Sequence, residues 1–349
     1  MPSFKKMRLA ESCLSLGTIG EFGIIKRLRT RHAGKSPEIL KGIGDDAAAL
    51  KIKSQITLIT TDMLLEEIHF DLSFTTFYQL GYKILAVSIS DILAMGGKPR
   101  YFLLGMGLPA TCLARDIDEL YSGIMNLAKK FKVVVIGGDT CASPKGLVLS
   151  GTLLGEANGI ITRSGARPGD AIFVTDTLGD SAMGLSLLNK LKIKNPRPRS
   201  LPHLFGTNLK ASSPYIRTLI KKHLMPEPKA LEKTSGITSM IDVSDGLLMD
   251  LSHICNESNA GALIYLDKIP ISKELALAAK KMGTDPLKFA LKGGEDYILL
   301  FTAPSDIKIN AVRIGEIIKK GRFLVDGRGS KTPFKAEGYE HFKKVESSK

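Results

Sequence analysis

Carboxylates stand near glycine, serine or threonine at seven places along the chain: Asp45-Asp46, Asp62, Asp91, Asp139, Asp242, Asp245 and Asp296. One Asp-Asp turn is ordinary, because an Asp side chain readily bonds its own backbone. Recurrence at the ends of elements means something else, since gathered carboxylates repel one another unless a cation neutralises them. Hard oxygen ligands suit Mg²⁺, which is usually held by a few carboxylates, waters and substrate phosphates. The first expectation is therefore a site that binds several Mg²⁺ ions and, through them, phosphate.

Three glycine patterns compete with that reading. Gly42-x-Gly44-x-x-Ala47 and Gly105-x-Gly107-x-x-Ala110 match the dinucleotide fingerprint loosely. The first puts two carboxylates where a bare pyrophosphate would sit, and the second ends on Pro109 without a clear helix. Gly179 and Gly184 have P-loop spacing, but Leu185 stands in place of the lysine. The familiar nucleotide loops are disfavoured. His69 and Glu295 are single residues of types that usually satisfy a core or a turn, and neither alone names a function.

The elements that must position these groups follow from pattern. Strands are expected at Ile56–Thr60, Tyr101–Leu108, Val133–Ile136, Leu147–Leu154, Ile172–Thr175 and Tyr297–Thr302. Helices are expected at Gly81–Ala94, Asp116–Lys130, Gly179–Leu188 and Asp245–Cys255, with a short amphipathic stretch at Glu21–Leu28. Arg163-Ser-Gly and Arg167-Pro-Gly-Asp punctuate the chain between Glu156 and Asp170. That places a boundary between an N-terminal domain, 1–155, and a C-terminal domain, 156–349.

The chain has 349 residues, 44% hydrophobic and 24% charged, which suits a two-domain globular enzyme. Nothing approaches the run of about 18 apolar residues that a membrane span needs. The four cysteines form no C-x-x-C pair, and the six histidines form no zinc signature. A cytoplasmic, reducing setting is expected. The net charge of +14 raises nucleic acid as a partner. Yet the charge concentrates away from the aspartates. Residues 190–233 hold 11 Lys and Arg against 2 Asp and Glu, a net of +9, and residues 1–41 hold 9 against 3, a net of +6. The central basic insertion, about 190–210, has no interleaved aromatics, and nucleic-acid binding is disfavoured.

Taken in order, the motifs resemble those of the thiamine-monophosphate kinase family, within the wider group of aminoimidazole-ribonucleotide and selenophosphate synthetases. They are Gly42-Ile-Gly-Asp-Asp-Ala47, Thr60-Thr-Asp62, Ala86-Val-Ser-Ile-Ser-Asp91 with Ala94-Met-Gly-Gly97, and Ile136-Gly-Gly-Asp-Thr140. Then come Thr162-Arg-Ser-Gly165, Arg167-Pro-Gly-Asp170, Gly179-Asp-Ser-Ala182, Ile241-Asp-Val-Ser-Asp-Gly246, Gly293-Gly-Glu-Asp-Tyr297 and Gly338-Tyr-Glu-His-Phe342. They run from about residue 20 to 342.

The resemblance implies a two-domain α/β fold of the aminoimidazole-ribonucleotide-synthetase type, with N-terminal sheets pairing into a homodimer. It implies transfer of the ATP γ-phosphoryl group to thiamine monophosphate, with ATP as co-substrate. By position it assigns Asp46, Thr60, Thr61, Asp62, Asp91, Asp139, Asp242 and Asp245 to metal, with Asp91 and Asp245 central to catalysis. It assigns Tyr121, Gly138, Asp139, Arg163 and Ser244 to the nucleotide, and His69, Glu295 and Tyr339 to the thiamine phosphate. Thr60 stands where many relatives carry serine, and the hydroxyl is kept. The basic insertion has no clear counterpart in the family. Phosphoryl transfer asks a protein mainly for alignment and charge neutralisation, which a crowd of aspartates without a P-loop lysine can supply.

Two rivals remain at this level. A sibling synthetase shares the fold, but selenophosphate chemistry calls for a reactive cysteine and an N-terminal lysine loop that are missing. A silent nucleotide- or RNA-binding protein would use the basic charge, and would show salt-dependent retention without ATP turnover.

Overall fold

The longest-buried element organises everything else. The computed structural model describes residues 36–52, 54–190 and 213–342, together with 22, 23, 25, 26, 29 and 30. Nearly all of the expected basic insertion lies outside the described residues. Helix α1 (Phe77–Ala94) starts at a capping box: the Gln79 N–H donates to Thr76 Oγ1 at 3.2 Å, and the Thr76 N–H donates to Gln79 Oε1 at 3.0 Å. From Gln79 to Ala94 every residue except Asp91 is buried. A helix apolar on all sides belongs inside a protein, and α1 is packed on both flanks.

One flank is a six-stranded sheet in the order β1-β2-β3-β6-β4-β5. Its strands are β1 (Ile39–Lys41), β2 (Ala48–Ile52), β3 (Gln55–Leu65), β4 (Lys98–Leu108), β5 (Val134–Ala142) and β6 (Val148–Ala157). β4 and β5 run parallel, joined by helix α2 (Ala114–Phe131). Leu58, Leu64, Phe102, Leu104, Leu149 and Leu153 point from this sheet into the α1 layer and are buried. The alternate residues Thr61, Met63 and Tyr101 are exposed on the other face.

The other flank is a seven-stranded sheet, β13-β12-β9-β11-β7-β10-β8. Its strands are β7 (Ala171–Val174), β8 (Ser239–Asp242), β9 (Gly261–Tyr265), β10 (Leu299–Ala303), β11 (Val312–Ile318), β12 (Arg322–Val325) and β13 (Lys331–Pro333). Phe173, Met240, Leu299 and Phe301 face α1 and share one core with the first sheet, and the Phe173 and Phe301 rings stack at 5.2 Å. Ile172, Val174, Ile241 and Leu300 point the opposite way, into a second core with α5 (Leu247–Glu257) and α7 (Pro286–Lys292). Helices α3 (Asp180–Lys190), α4 (Pro214–Leu224) and α6 (Lys273–Met282) close a third cluster. Among the described residues no helix is long and apolar enough to cross a membrane.

The expected strands and the four expected helices from Gly81 onward are present, mostly longer than the pattern suggested, while the stretch expected at Glu21–Leu28 lies in good part outside the described residues. Asp91 lies in the last turn of α1, within the helix expected at Gly81–Ala94. Two expected turn positions are corrected: Asp62 lies inside β3 and Asp139 lies inside β5. The Gly137-Gly138 pair does not end that strand. It lets the strand pass tightly, since a Cβ at Gly138 would sit 1.9 Å from the Leu104 carbonyl oxygen, and the β4–β5 register shifts there. Gly105 and Gly107 are likewise strand residues of β4.

Helices α1 and α2 cross at reciprocal glycines. A Cβ at Gly81 would lie 1.8 Å from Leu120 O, and one at Gly123 would lie 1.9 Å from Tyr78 O. Gly81→Val should therefore force the helices apart and destabilise the protein by about 3 kcal/mol or more. A lowered melting temperature checks this, and a value within one degree of wild type contradicts the packing.

Candidate functional site

Alternation along β3 puts Thr60 and Asp62 on the side that faces α1. On α1, Ser88 and Asp91 are three residues apart and so share a helix face. The two pairs meet. Thr60 Oγ1 donates to Asp91 Oδ2 at 2.5 Å, and Ser88 Oγ donates to Asp62 Oδ2 at 2.7 Å. One residue from Asp91, Ser90 reaches the other sheet and donates to Asp242 Oδ2 at 2.7 Å. Asp46 arrives from the turn before β2. Carboxylate oxygens of Asp46, Asp91 and Asp242 all lie within 4.8 Å of one another.

These acids are uncomfortable as anions. Burial, and then the neighbouring acids, push the Asp91 carboxyl well above its ordinary range. Burial and then Asp46 push Asp242 up to about 8, against bonds from Ser90 and the field of Arg163. Burial pushes Asp62 up to about 6. One cation answers them: Arg163 grips Asp46 with a two-pronged bond, Nε to Oδ2 at 3.2 Å and Nη2 to Oδ1 at 2.9 Å. Burial would lower the Arg163 pKa, but Asp46 outweighs it and the net shift is upward. Asp45, paired with Lys41 at 2.8 Å, accepts the Arg163 backbone N–H at 3.3 Å.

A second group lies one loop away. Asp250 Oδ2 accepts the backbone N–H groups of Asp245 and Gly246 at 3.2 and 3.0 Å, which fixes the turn that presents Asp245. Asp245, Asp250 and His253 bring ligand atoms within 4.8 Å of one another. The Ser244 carbonyl accepts the Glu295 N–H at 2.8 Å, so the Gly-Gly-Glu-Asp-Tyr loop is pinned on the same turn. The C-terminal segment folds onto it too, with the Tyr339 N–H donating to Asp245 O at 3.0 Å.

The three residues expected at the acceptor come together around that segment. His69 Nδ1 accepts the Leu65 N–H at 3.1 Å, and its Nε2 is 3.3 Å from His341 Nε2. The Tyr339 hydroxyl is 3.2 Å from His341 Nδ1, and the two rings meet edge-on at 4.9 Å. Glu295 joins from the other side, paired with Lys83. Burial, then His341, lowers the His69 pKa.

Other expected residues stay apart within one chain. Thr61 points to the exposed face of the sheet and bonds Thr152 at 3.1 Å. Gly138 and Asp139 lie on edge strand β5, and Asp139 accepts the Thr140 N–H at 2.9 Å. Strands β6 and β4 separate Thr61 from Asp139, so they are three strand spacings apart, roughly 14 Å. Tyr121 is part-buried on α2 beside the first turns of α1. Ten residues of helix separate Gly81 from Asp91, about 15 Å along the axis. The Gly179 end of α3 holds no phosphate loop, because Asp296 takes the Gly179 and Ser181 N–H groups at 2.6 and 3.1 Å.

Sequence reasoning passed over Ser88, Ser90, Lys83, His223, Asp250 and His253. For Ser88 the signal was available in its three-residue spacing from Asp91. For Lys83 and His223 no local signal exists, because their partner lies far along the chain.

The chain matches the AIR synthase related protein N-terminal domain over residues 44–157 and the AIR synthase related protein C-terminal domain over residues 167–325. It is 39% identical over 342 residues to thiamine-monophosphate kinase of Buchnera aphidicola subsp. Acyrthosiphon pisum, covering 92% of this chain and 98% of the relative. It is 32% identical over 337 residues to that of Aquifex aeolicus, covering 94% of this chain and 100% of the relative. Among solved structures, AaThiL complexed with AMPPCP and TMP superposes with a TM-score of 0.80 at 31% identity, covering 94% of this chain and 99% of that one. The chain therefore belongs to the AIR synthase related family and, within it, to the thiamine-monophosphate kinases.

Proposed function

We propose that the protein transfers the γ-phosphoryl group of ATP to thiamine monophosphate, giving thiamine diphosphate and ADP. The observation that carries this reading is the meeting of Asp46, Asp91 and Asp242 within 4.8 Å at the junction of the two sheets, beside an acceptor group of His69, Glu295 and Tyr339. Family membership supplies the substrates. The division into an N-terminal nucleotide and metal domain up to about residue 155 and a C-terminal domain completing the cleft belongs to the same proposal.

The three-carboxylate cluster fits a hard divalent cation. Its oxygens crowd at ligand spacing, and burial leaves them short of countercharge. Mg²⁺ held by Asp46, Asp91 and Asp242, with Asp62 and Asp245 alongside, would supply charge neutralisation at the phosphates. Thr60 and Ser88 hold the Asp91 and Asp62 carboxylates in place. Arg163 spends the Nε–Nη2 edge of its guanidinium on Asp46, and its charge beside that acid would favour a bound phosphate. Ser181 and His223 form a hydroxyl–imidazole pair at 3.1 Å, and both are buried. Their burial favours direct transfer, without a phosphoenzyme.

Homodimer formation belongs to the same reading. Edge strand β5 exposes Val134 and Ile136, and the outer sheet face exposes Met63 and Tyr101, each about half exposed. A second copy on this face buries them. Among the described residues Cys112, Cys141 and Cys255 form no disulfide, which suits a cytoplasmic location.

Purified protein with Mg-ATP and thiamine monophosphate should yield thiamine diphosphate, and no product at any Mg²⁺ concentration refutes the assignment. Asp91→Asn should keep the melting temperature and lose at least about a hundredfold in kcat. Near-normal turnover at saturating Mg²⁺ removes Asp91 from the site.

Acids whose folded pKa is raised bind more protons in the folded state, so the stability they contribute falls as pH rises. For Asp62 and Asp242 the window runs from their ordinary value of 3.8 to about 6 and about 8. In chelator, wild type should lose at least about 1 kcal/mol relative to Asp242→Asn between pH 5 and pH 8, and Mg²⁺ should restore it. Parallel pH curves for the two proteins would contradict the crowding.

Ile136→Glu should shift the sedimentation mass toward the monomer. An active wild-type monomer at all concentrations would contradict the dimer.

A further inference from the structure

Lys83 sits in the middle of α1 with 1% of its side chain exposed, the largest fully enclosed side chain among the described residues. Its Nζ lies 2.6 Å from Glu295 Oε1 across the junction between the two sheets, an ion pair off hydrogen-bond alignment, and Nζ has no aligned hydrogen-bond acceptor among the described residues. The other Glu295 oxygen is 3.3 Å from His223 Nδ1, which also lies 3.1 Å from Ser181 Oγ. Glu295 keeps 27% of its side chain exposed, so one side remains open to a ligand.

The loop that carries Glu295 is stiff. Glu295 and Tyr297 both have positive φ, 64° and 50°, and a Cβ on Gly294 would fall 2.3 Å from Ser244 O. The next residue, Asp296, is bound to the N-terminus of α3, so the carboxylate cannot swing away without breaking those bonds. A buried Lys–Glu pair adds little net stability, because desolvation offsets attraction. What it fixes is the charge and the direction of the carboxylate.

We propose that Lys83 is a positioning residue for acceptor recognition: it keeps Glu295 an ionised, acceptor-only carboxylate whose free side takes a hydrogen bond from an amine donor of the thiamine phosphate. This rests on the reading that Glu295 contacts the acceptor. The groups facing Glu295 are Lys83 on α1, His223 on α4, Ser181 on α3, His69 after β3, and Tyr297 on its own loop. Burial would raise the Glu295 pKa, but Lys83, then His223, reverse the shift, and the net effect is downward. Burial, then Lys83, pushes His223 down to about 4, so His223 is neutral and Lys83 is the countercharge.

The test follows the acceptor KM from about pH 6 to about pH 9 in wild type, Glu295→Gln, Lys83→Met and Lys83→Arg, with ATP KM and melting temperature as controls. Glu295→Gln should raise the acceptor KM on the order of tenfold, the loss of one charge-assisted hydrogen bond. That gap should stay constant across the range, because Lys83 keeps the wild-type carboxylate ionised. In Lys83→Met the acceptor KM should be high at low pH and recover as pH rises and Glu295 loses its proton. Lys83→Arg should restore the flat profile, and ATP KM should stay within about twofold of wild type in the Lys83 variants. A Glu295→Gln gap that closes toward pH 6 overturns the inference without any Lys83 variant, so it remains testable if Lys83→Met folds poorly. A pH-independent rise in Lys83→Met also overturns it, leaving Lys83 a packing residue. An unchanged acceptor KM in Glu295→Gln removes both the reading of Glu295 and the role of Lys83.

Discussion

Three carboxylates forced into one small volume, with a single guanidinium to answer them, set the terms for the rest of the molecule. Asp46, Asp91 and Asp242 come from a turn, a helix and a strand that are far apart in sequence. Holding them together costs free energy in the absence of further positive charge. The structure meets that cost with fixed neutral donors, the hydroxyls of Thr60, Ser88 and Ser90, and with the Arg163 fork on Asp46. Hydroxyls orient carboxylates without neutralising them. The site is therefore directional and still short of positive charge, which is the condition for capturing a metal and its phosphates.

The proposed acceptor side is built on the opposite principle. There a buried acid already has its countercharge, Lys83, and neutral imidazoles surround it. The two ends are joined through backbone: the Ser244–Gly246 turn carries Asp245, receives the Glu295 loop and supports the C-terminal Tyr339. Helix α1 is a second link, since it carries Lys83 toward Glu295 and Asp91 in the carboxylate cluster.

Much of the framework was legible because its signals are local. The strand at β3 and the apolar run of α1 each lie within one window of sequence, whereas the capping box at Thr76 and Gln79 went unread and the helix was expected to begin only at Gly81. The turn reading of Asp62 and Asp139 failed for a local reason as well. Nearby glycine, serine or threonine marks a turn on average, but here small residues let strands and helices pass closely, as Gly138 does against Leu104. The grouping of the acids was readable only through the order of family motifs, since no period links residues 46, 91 and 242. Lys83 was hidden more deeply. A lysine in an apolar helix reads as a solvated position, and only the folded chain brings Glu295 to it.

Helix α1 belongs to both sheets at once: Leu58 and Phe102 press on it from one side, and Met240 and Phe301 from the other. This has a consequence for synthesis. The chain emerges from the ribosome N-terminus first, so α1 and the first sheet are complete long before β8 and β10 exist. Until those strands arrive, one apolar side of the helix faces water, and the nascent N-terminal half presents a sticky surface. That side of the helix is covered only when the strands of the second sheet arrive, so the two halves of the chain share one core.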